Sequence, residues 1–402
     1  MKGDHRAGEG GTQCTVLWTE GQGEKENGQA GGPRAGQRPH ALWRLLDCSG
    51  DMVGLDTYVQ DWPFALQLVV WFLRGVSRVI LANNPLSGAL ILAALLWASP
   101  WQGVLGTVGV LASMLTAVLI GQDGAEVTAG LHGYNGMLVS MLMGVFSSAG
   151  DWYLWLLLPA CLGAAACTFL YSGLSPVLDR WDLPVAVFPF NIVIVLYLLV
   201  TRPDNPYFPH YPSLTVGALQ PNATELNTAQ LLQGIFLGVG QIFACDSLGP
   251  SLLILGATLL YSPLQALHAV LGSTAGTLAG LSVAERHGSL YSGLSGFNGA
   301  LGCMSVGGLF FTFSWRSHLF AIATAFLCSY VNIAFSNLLG TIGLPACSWA
   351  ATLVVTLMLL LTGQGLAAYR IPIGQVRSPE HNLSSRSQWK AGNTLDPDST
   401  VV

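Results

Sequence analysis

The chain has 402 residues, of which 51% are hydrophobic and only 9% charged, with a formal net charge of −5 and a mean hydropathy of +0.52. A water-soluble domain carries about 25% charged residues, because its surface must be wetted; this composition excludes an ordinary soluble protein and places most of the chain in lipid. No basic patch suggests a nucleic-acid partner, and the eight cysteines lack CxxC spacing, which leaves them as small apolar side chains rather than metal ligands or disulfides.

In chain order, residues 1–60 are rich in Gly and charge and predict a disordered cytoplasmic segment with no secretory signal. Residues 61–200 hold a first transmembrane unit with spans expected at Phe64–Ala82, Leu86–Trp97, Val104–Ile120, Trp152–Tyr171 and Leu183–Val200. Residues 201–229 read as an extracellular linker carrying a glycosylation sequon, Asn222-Ala223-Thr224. Residues 230–362 hold a second unit, with spans expected at Gln230–Ala244, Ser251–Tyr261, Pro263–Leu281, His318–Asn337 and Leu344–Leu361. Residues 363–402 form a cytoplasmic tail, solvated from Arg370 onward. Several apolar runs fall short of the ~20 residues a spanning helix needs, so they borrow flanking residues or reach only partway.

The two units are copies. Gly130-Leu131-His132-Gly133-Tyr134-Asn135-Gly136 recurs 163 residues later as Gly293-Leu294-Ser295-Gly296-Phe297-Asn298-Gly299, and Ser99-Pro100 recurs at the same offset as Ser262-Pro263. Leu183-Pro184 recurs as Leu344-Pro345, 161 residues on. After each Gly-rich motif comes an apolar piece, Met137–Phe146 or Ala300–Phe310, too short to cross and expected to enter and leave on one side. The fold class is therefore an all-α membrane protein with two inverted repeats, each of five transmembrane helices plus one re-entrant half-helix; an odd number of spans inverts the second copy. A cytoplasmic N-terminus puts Arg34, Arg38, Arg44, Arg74, Arg180, Arg286, Arg316, Arg370 and Arg377 on the inside, as the positive-inside rule requires. Both termini are then cytoplasmic.

The expected spans are almost free of acidic groups, which disfavours an ion-coupled pump. His132 and His268 read as packed or hydrogen-bonded groups, and nothing resembles a nucleophile with its base, so the chain does not read as an enzyme and implies no cofactor. The pattern points to passive movement of an uncharged solute. A helix opened by Leu-Pro inside the bilayer leaves backbone groups that must face something polar.

The motifs Asn83-Asn84-Pro85-Leu86-Ser87-Gly88, Gly130–Asn135, Trp181-Asp182-Leu183-Pro184 with Phe188-Pro189-Phe190-Asn191, Val239-Gly240-Gln241-Ile242 and Gly343-Leu344-Pro345-Ala346-Cys347 closely resemble the vertebrate urea transporter family. The likeness runs from about Asp61 to Thr362. The resemblance implies a homotrimeric, glycosylated plasma-membrane protein whose partners are the lipid bilayer and urea, with one pore per protomer between inverted halves. It implies channel-like facilitated diffusion through a narrow uncharged filter, walled by aromatic rings and lined by oxygen atoms. The substrate pathway it marks comprises Arg78, Tyr134, Asn135, Leu183, Pro184, Val187, Phe190, Gln241, Phe297, Asn298, Leu344, Pro345 and Ser348.

This chain departs from the family at several of these positions. Arg78 stands where the family has Gln, Val187 and Ser348 where it has Thr, and Asp246-Ser247-Leu248 where a second Asn-Pro would fall. Those departures keep two alternatives open: the same fold passing another small neutral solute (ammonia, water or a small amide), and a non-conducting membrane receptor or scaffold.

Overall fold

The computed structural model describes residues 48–52, 54–211, 226–361 and 369–384. The sequon at Asn222 lies outside the described residues. Every named element is helical: α1 Gly54–Val59, α2 Phe64–Ser77, α3 Pro85–Ala98, α4 Pro100–Leu119, α5 Gly124–Thr128, α6 Gly133–Phe146, α7 Leu157–Leu178 and α8 Phe188–Thr201, followed by α9 Thr228–Gly240, α10 Leu248–Tyr261, α11 Pro263–Ser282, α12 His287–Tyr291, α13 Phe297–Met304, α14 Trp315–Gly340 and α15 Trp349–Leu359. Three apolar stretches are long enough to cross a membrane unaided among the described residues: Pro100–Leu119, Leu154–Trp181 and Trp315–Gly340. Together with the apolar helices around them they make the chain a multi-pass membrane protein.

The duplication seen in sequence is repeated in the backbone. α2 to α5 reappear as α9 to α12 at the 163-residue offset, and α8 reappears as α15 at 161. Strained turns recur with them: Leu81 (φ 63) matches Ala244 (φ 52), and Gly130 (φ 72) matches Gly293 (φ 81). α2 with its 3-10 turn meets α3 at 75°, and α9 with its turn meets α10 at 74°. Phe64–Ala82 and Leu86–Trp97 are thus two limbs of one bent unit. Ser-Pro opens α4 and α11 alike: Ser99 Oγ accepts from Gln102 N, Ser262 Oγ accepts from Gln265 N, and the proline fills the first turn, where its missing N–H costs nothing.

Close approach of backbones sets each core. A Cβ on Gly109 of α4 would collide with the Gly136 carbonyl of α6, and one on Gly272 of α11 with the Gly299 carbonyl of α13. Glycine at these matched positions lets each short motif helix lie directly against a long one, as small residues do wherever membrane helices pack without a hydrophobic driving force. The copies join where α3 packs on α10, with Ser87 Oγ donating to Ala257 O at 2.8 Å.

Two sequence expectations are corrected. Residues 48–52 belong to the fold: Asn84, which caps α3 through its Oδ1, also donates its Nδ2 to the carbonyls of Cys48 and Gly50, each at 2.9 Å. Residues 369–384 are docked on the fold, with Ile371, Ser378, Pro379 and Asn382 buried, rather than solvated throughout. Ile371 N donates to Phe310 O at 2.9 Å, just as Tyr211 N donates to Phe146 O at 2.8 Å in the first copy. Beyond it, Glu380 Oε1 accepts from Ser262 Oγ (2.8 Å) and Leu264 N (3.0 Å), placing an anion at the positive end of α11. The first and last described segments meet where Ser378 N donates to Asp51 Oδ2 at 2.8 Å.

Candidate functional site

Leu183–Val200 is not one continuous helix. Asp182 (φ 53) turns the chain, residues 183–185 run extended, Ala186 (φ 47) turns it again, and α8 begins at Phe188. The second copy does the same: Gly343 (φ 75), extended 344–346, Cys347 (φ 45), then α15 from Trp349. The Leu-Pro pair explains the extended part, since a residue before proline is held out of the helical region. At 14 and 11 residues, α8 and α15 cover about 21 and 17 Å, well under the ~30 Å hydrocarbon thickness. Each helix starts partway along the apolar stretch.

A helix start of this kind needs partners for its first N–H groups, and neither Val187 nor Ser348 caps with its side chain. The cap comes from the Gly-rich motif of the same copy. Asn135 Oδ1 accepts from Phe190 N at 3.1 Å, and its Nδ2 donates to Ala186 O at 3.2 Å. Asn298 Oδ1 accepts from Ala351 N at 3.0 Å, and its Nδ2 donates to Cys347 O at 3.1 Å. One carboxamide thus holds both the strained turn and the helix it precedes. Tyr134 Oη adds a bond to Ala186 O at 2.7 Å, whereas its counterpart Phe297 has no hydroxyl and packs against the core. Asn332 Oδ1 supports the second clamp instead, accepting from Asn298 Nδ2 at 2.9 Å.

The two helix starts face one another. Asn191 of α8 accepts from Ser348 N through Oδ1 and donates to Thr352 Oγ1 through Nδ2, both at 3.2 Å. The rings of Phe188 and Trp349 meet edge-to-face at 6.2 Å. Each pair, Asn191/Thr352 and Phe188/Trp349, is separated by the repeat offset of 161; equivalent positions of the two copies meet. Sequence reasoning left all four out of the pathway set, although that offset would have found them.

Burial follows one pattern in both copies. Leu183, Val185 and Pro189 are buried, as are Leu344, Ala346 and Ala350; Pro184, Val187 and Phe188 stay partly exposed, as do Pro345, Ser348 and Trp349. The carbonyls of Leu183, Pro184, Leu344 and Pro345 receive no hydrogen bond among the described residues. Phe190, Asn135 and Asn298, at 1%, 1% and 0% exposure, are sealed and act through the backbone they hold.

Arg78 and Gln241 also match across the copies. Arg78 Nε donates to Ala129 O at 2.9 Å, and Gln241 Nε2 donates to Ser292 O at 3.0 Å, each carbonyl lying 51 residues along the chain. Both side chains are half-buried at the start of a 3-10 turn. From the segment after the second copy, Arg370 binds the Asp182 carbonyl and, at 3.2 Å, its carboxylate, fixing the first turn. No cluster that could hold a metal ion occurs among the described residues.

Comparison with known proteins bears on this arrangement directly. The profile of one protein family, Urea transporter, matches residues 69–363. Urea transporter 1 of sheep (Ovis aries) is 42% identical over 363 residues, covering 90% of this chain and 93% of the relative. Urea transporter 1 of the rat (Rattus norvegicus) is 42% identical over 336 residues, covering 83% and 87%. The matched span contains the bent helices, both Gly-rich motifs and both Leu-Pro segments, and the chain belongs to the urea transporter family, a family of transporters and not of enzymes.

Proposed function

We propose that the chain is a channel-like facilitative transporter that passes urea down its gradient between the two Leu-Pro segments, at the plasma membrane. The observation that carries this reading is the paired clamp, in which Asn135 and Asn298 each hold a broken helix start at matched positions of the two copies. Urea is flat, with four N–H donors and one carbonyl acceptor. Stripping such an amide of water costs roughly 2–7 kcal/mol unless its hydrogen bonds are replaced. The unpaired carbonyls at 183–184 and 344–345 supply acceptors, and the Phe188 and Trp349 rings offer flat apolar walls. The side chains of Val187, Ser348, Pro184 and Pro345 stand partly exposed along the same segments. No fixed carboxylate lies among these residues, and a few carbonyl oxygens replace only part of a cation's hydration shell.

In this reading the copies are inverted across the bilayer, each with five crossings and a re-entrant half-helix, α6 or α13. Residues 201–229 lie outside the cell with Asn222 available for glycosylation, both chain ends lie inside, and three protomers assemble, each with its own passage. Urea efflux from proteoliposomes, followed by stopped-flow light scattering, tests the central claim. Flux well above that of empty vesicles is expected; flux no faster than theirs rejects it. Comparing ammonia, water and small amides in the same vesicles separates urea from another neutral solute, and a sealed, non-conducting protein would point to the receptor or scaffold.

A further inference from the structure

We propose that Arg78 is a specificity-determining residue of the passage: a fixed guanidinium that admits neutral, carbonyl-bearing amides and turns planar cations away. This role rests on the urea passage proposed above. The repeat supplies the placement. Arg78 occupies the position of Gln241 in the other copy and reproduces its hydrogen bond through Nε, at 2.9 against 3.0 Å. Where the glutamine spends its single amide nitrogen on that anchor, arginine has two further nitrogens. Nη1 and Nη2 of Arg78 have no partner among the described residues and are not sealed from solvent.

Neighbouring arginines show the contrast. Arg74, one turn earlier, is 1% exposed and bonded to the carbonyls of Thr128 and Met52. Arg370 is paired with Asp182. Around Arg78 stand Tyr134, Tyr171, Tyr261 and Asp51. Asp51 is engaged by Tyr261 Oη and Ser378 N, and forms no ion pair with Arg78 among the described residues. Tyr134 ties the group to the site, because its hydroxyl bonds the Ala186 carbonyl at the first strained turn. Ala129, the anchor, immediately precedes the Gly-rich motif that opens α6, so the guanidinium adds its charge to the positive end of that helix. Guanidinium N–H groups match a carbonyl oxygen and repel another cation.

Guanidinium ion is the natural probe, being flat and close in size to urea but charged. Low-millimolar guanidinium chloride, against sodium chloride at equal ionic strength, is added to proteoliposomes of the full chain while urea flux is read. Wild type and R78K, which keeps the charge, are expected to be inhibited no more than by the sodium salt. R78Q is expected to become at least fivefold more sensitive to guanidinium, measured against its own urea flux without guanidinium. R78M, similar in length and uncharged, serves the same comparison if R78Q does not fold. Equal sensitivity in wild type and the neutral variants, each relative to its own uninhibited urea flux, overturns the role of Arg78 and leaves the passage standing. Wild-type flux no faster than empty vesicles overturns both.

Discussion

Asn298→Ala should damage the protein more than Asn135→Ala, although both remove the same residue from the same motif. Each asparagine is the only described partner of a helix-start amide, Phe190 N or Ala351 N. Leaving such a buried N–H bare costs about 1–3 kcal/mol. In the first copy the damage largely stops there, because Ala186 O keeps its bond from Tyr134 at 2.7 Å. In the second, Cys347 O loses its donor and Asn332 Oδ1, in a residue 5% exposed, loses the 2.9 Å bond from Asn298. The second loss is of similar kind, giving a total of roughly 2–6 kcal/mol. Hydrogen exchange in reconstituted protein reads both sites at once. With tenfold per ~1.4 kcal/mol, the Phe190 amide in Asn135→Ala should exchange about 10–100-fold faster, and the Ala351 amide in Asn298→Ala faster still. Urea flux should fall in the same order. Protected amides in both variants, or equal losses in the two, would refute the account of one carboxamide capping a helix from another element.

Val187→Thr places a hydroxyl where Ser348 has one in the other copy; at roughly 0.5–1.5 kcal/mol for a hydrogen bond, urea flux should rise about two- to tenfold, and Ser348→Ala should lower it by a like factor in the same vesicles. Glu380→Ala removes the acceptor for Ser262 Oγ and Leu264 N, so residues 369–384 should become cleavable by limited proteolysis at temperatures where the wild type resists. His210 is a pH-sensitive fastening: burial holds its pKa below the ordinary 6.5, so folding favours the neutral ring. Its stabilising effect is complete above the unfolded value and is lost as pH falls through the lower folded one. Protection of the Tyr211 amide, bonded to Phe146 O, taken relative to the intrinsic exchange rate at each pH, should therefore fall on acidification below about 6.5, and His210→Gln should flatten that dependence.

The duplication was legible because its anchors are glycine, proline and asparagine, residues whose geometry tolerates few substitutes. Gly130 and Gly293 mark left-handed turns, and the Leu-Pro pairs mark extended chain. Asn135 and Asn298 were visible as repeated residues, but their work as caps for α8 and α15 was not, since cap and helix lie 55 and 53 residues apart. The anchoring of Arg78 was hidden likewise, by a bond to a carbonyl 51 residues away that any residue type could provide. Residues 369–384 looked solvated because their charges are conspicuous. In the fold those charges are used, Arg370 on Asp182 and Glu380 on α11. Local composition reports which groups are polar, not whether a distant element answers them.

The meeting of Asp51 with Ser378 joins the segment before the first copy to the segment after the second. The chain's first described segment touches its last, while α3 against α10 and α8 against α15 stitch the middle. Severing the peptide between α8 and α9 would leave the halves held by every one of these seams. Two fragments made separately would carry, on their own surfaces, the instructions for finding each other.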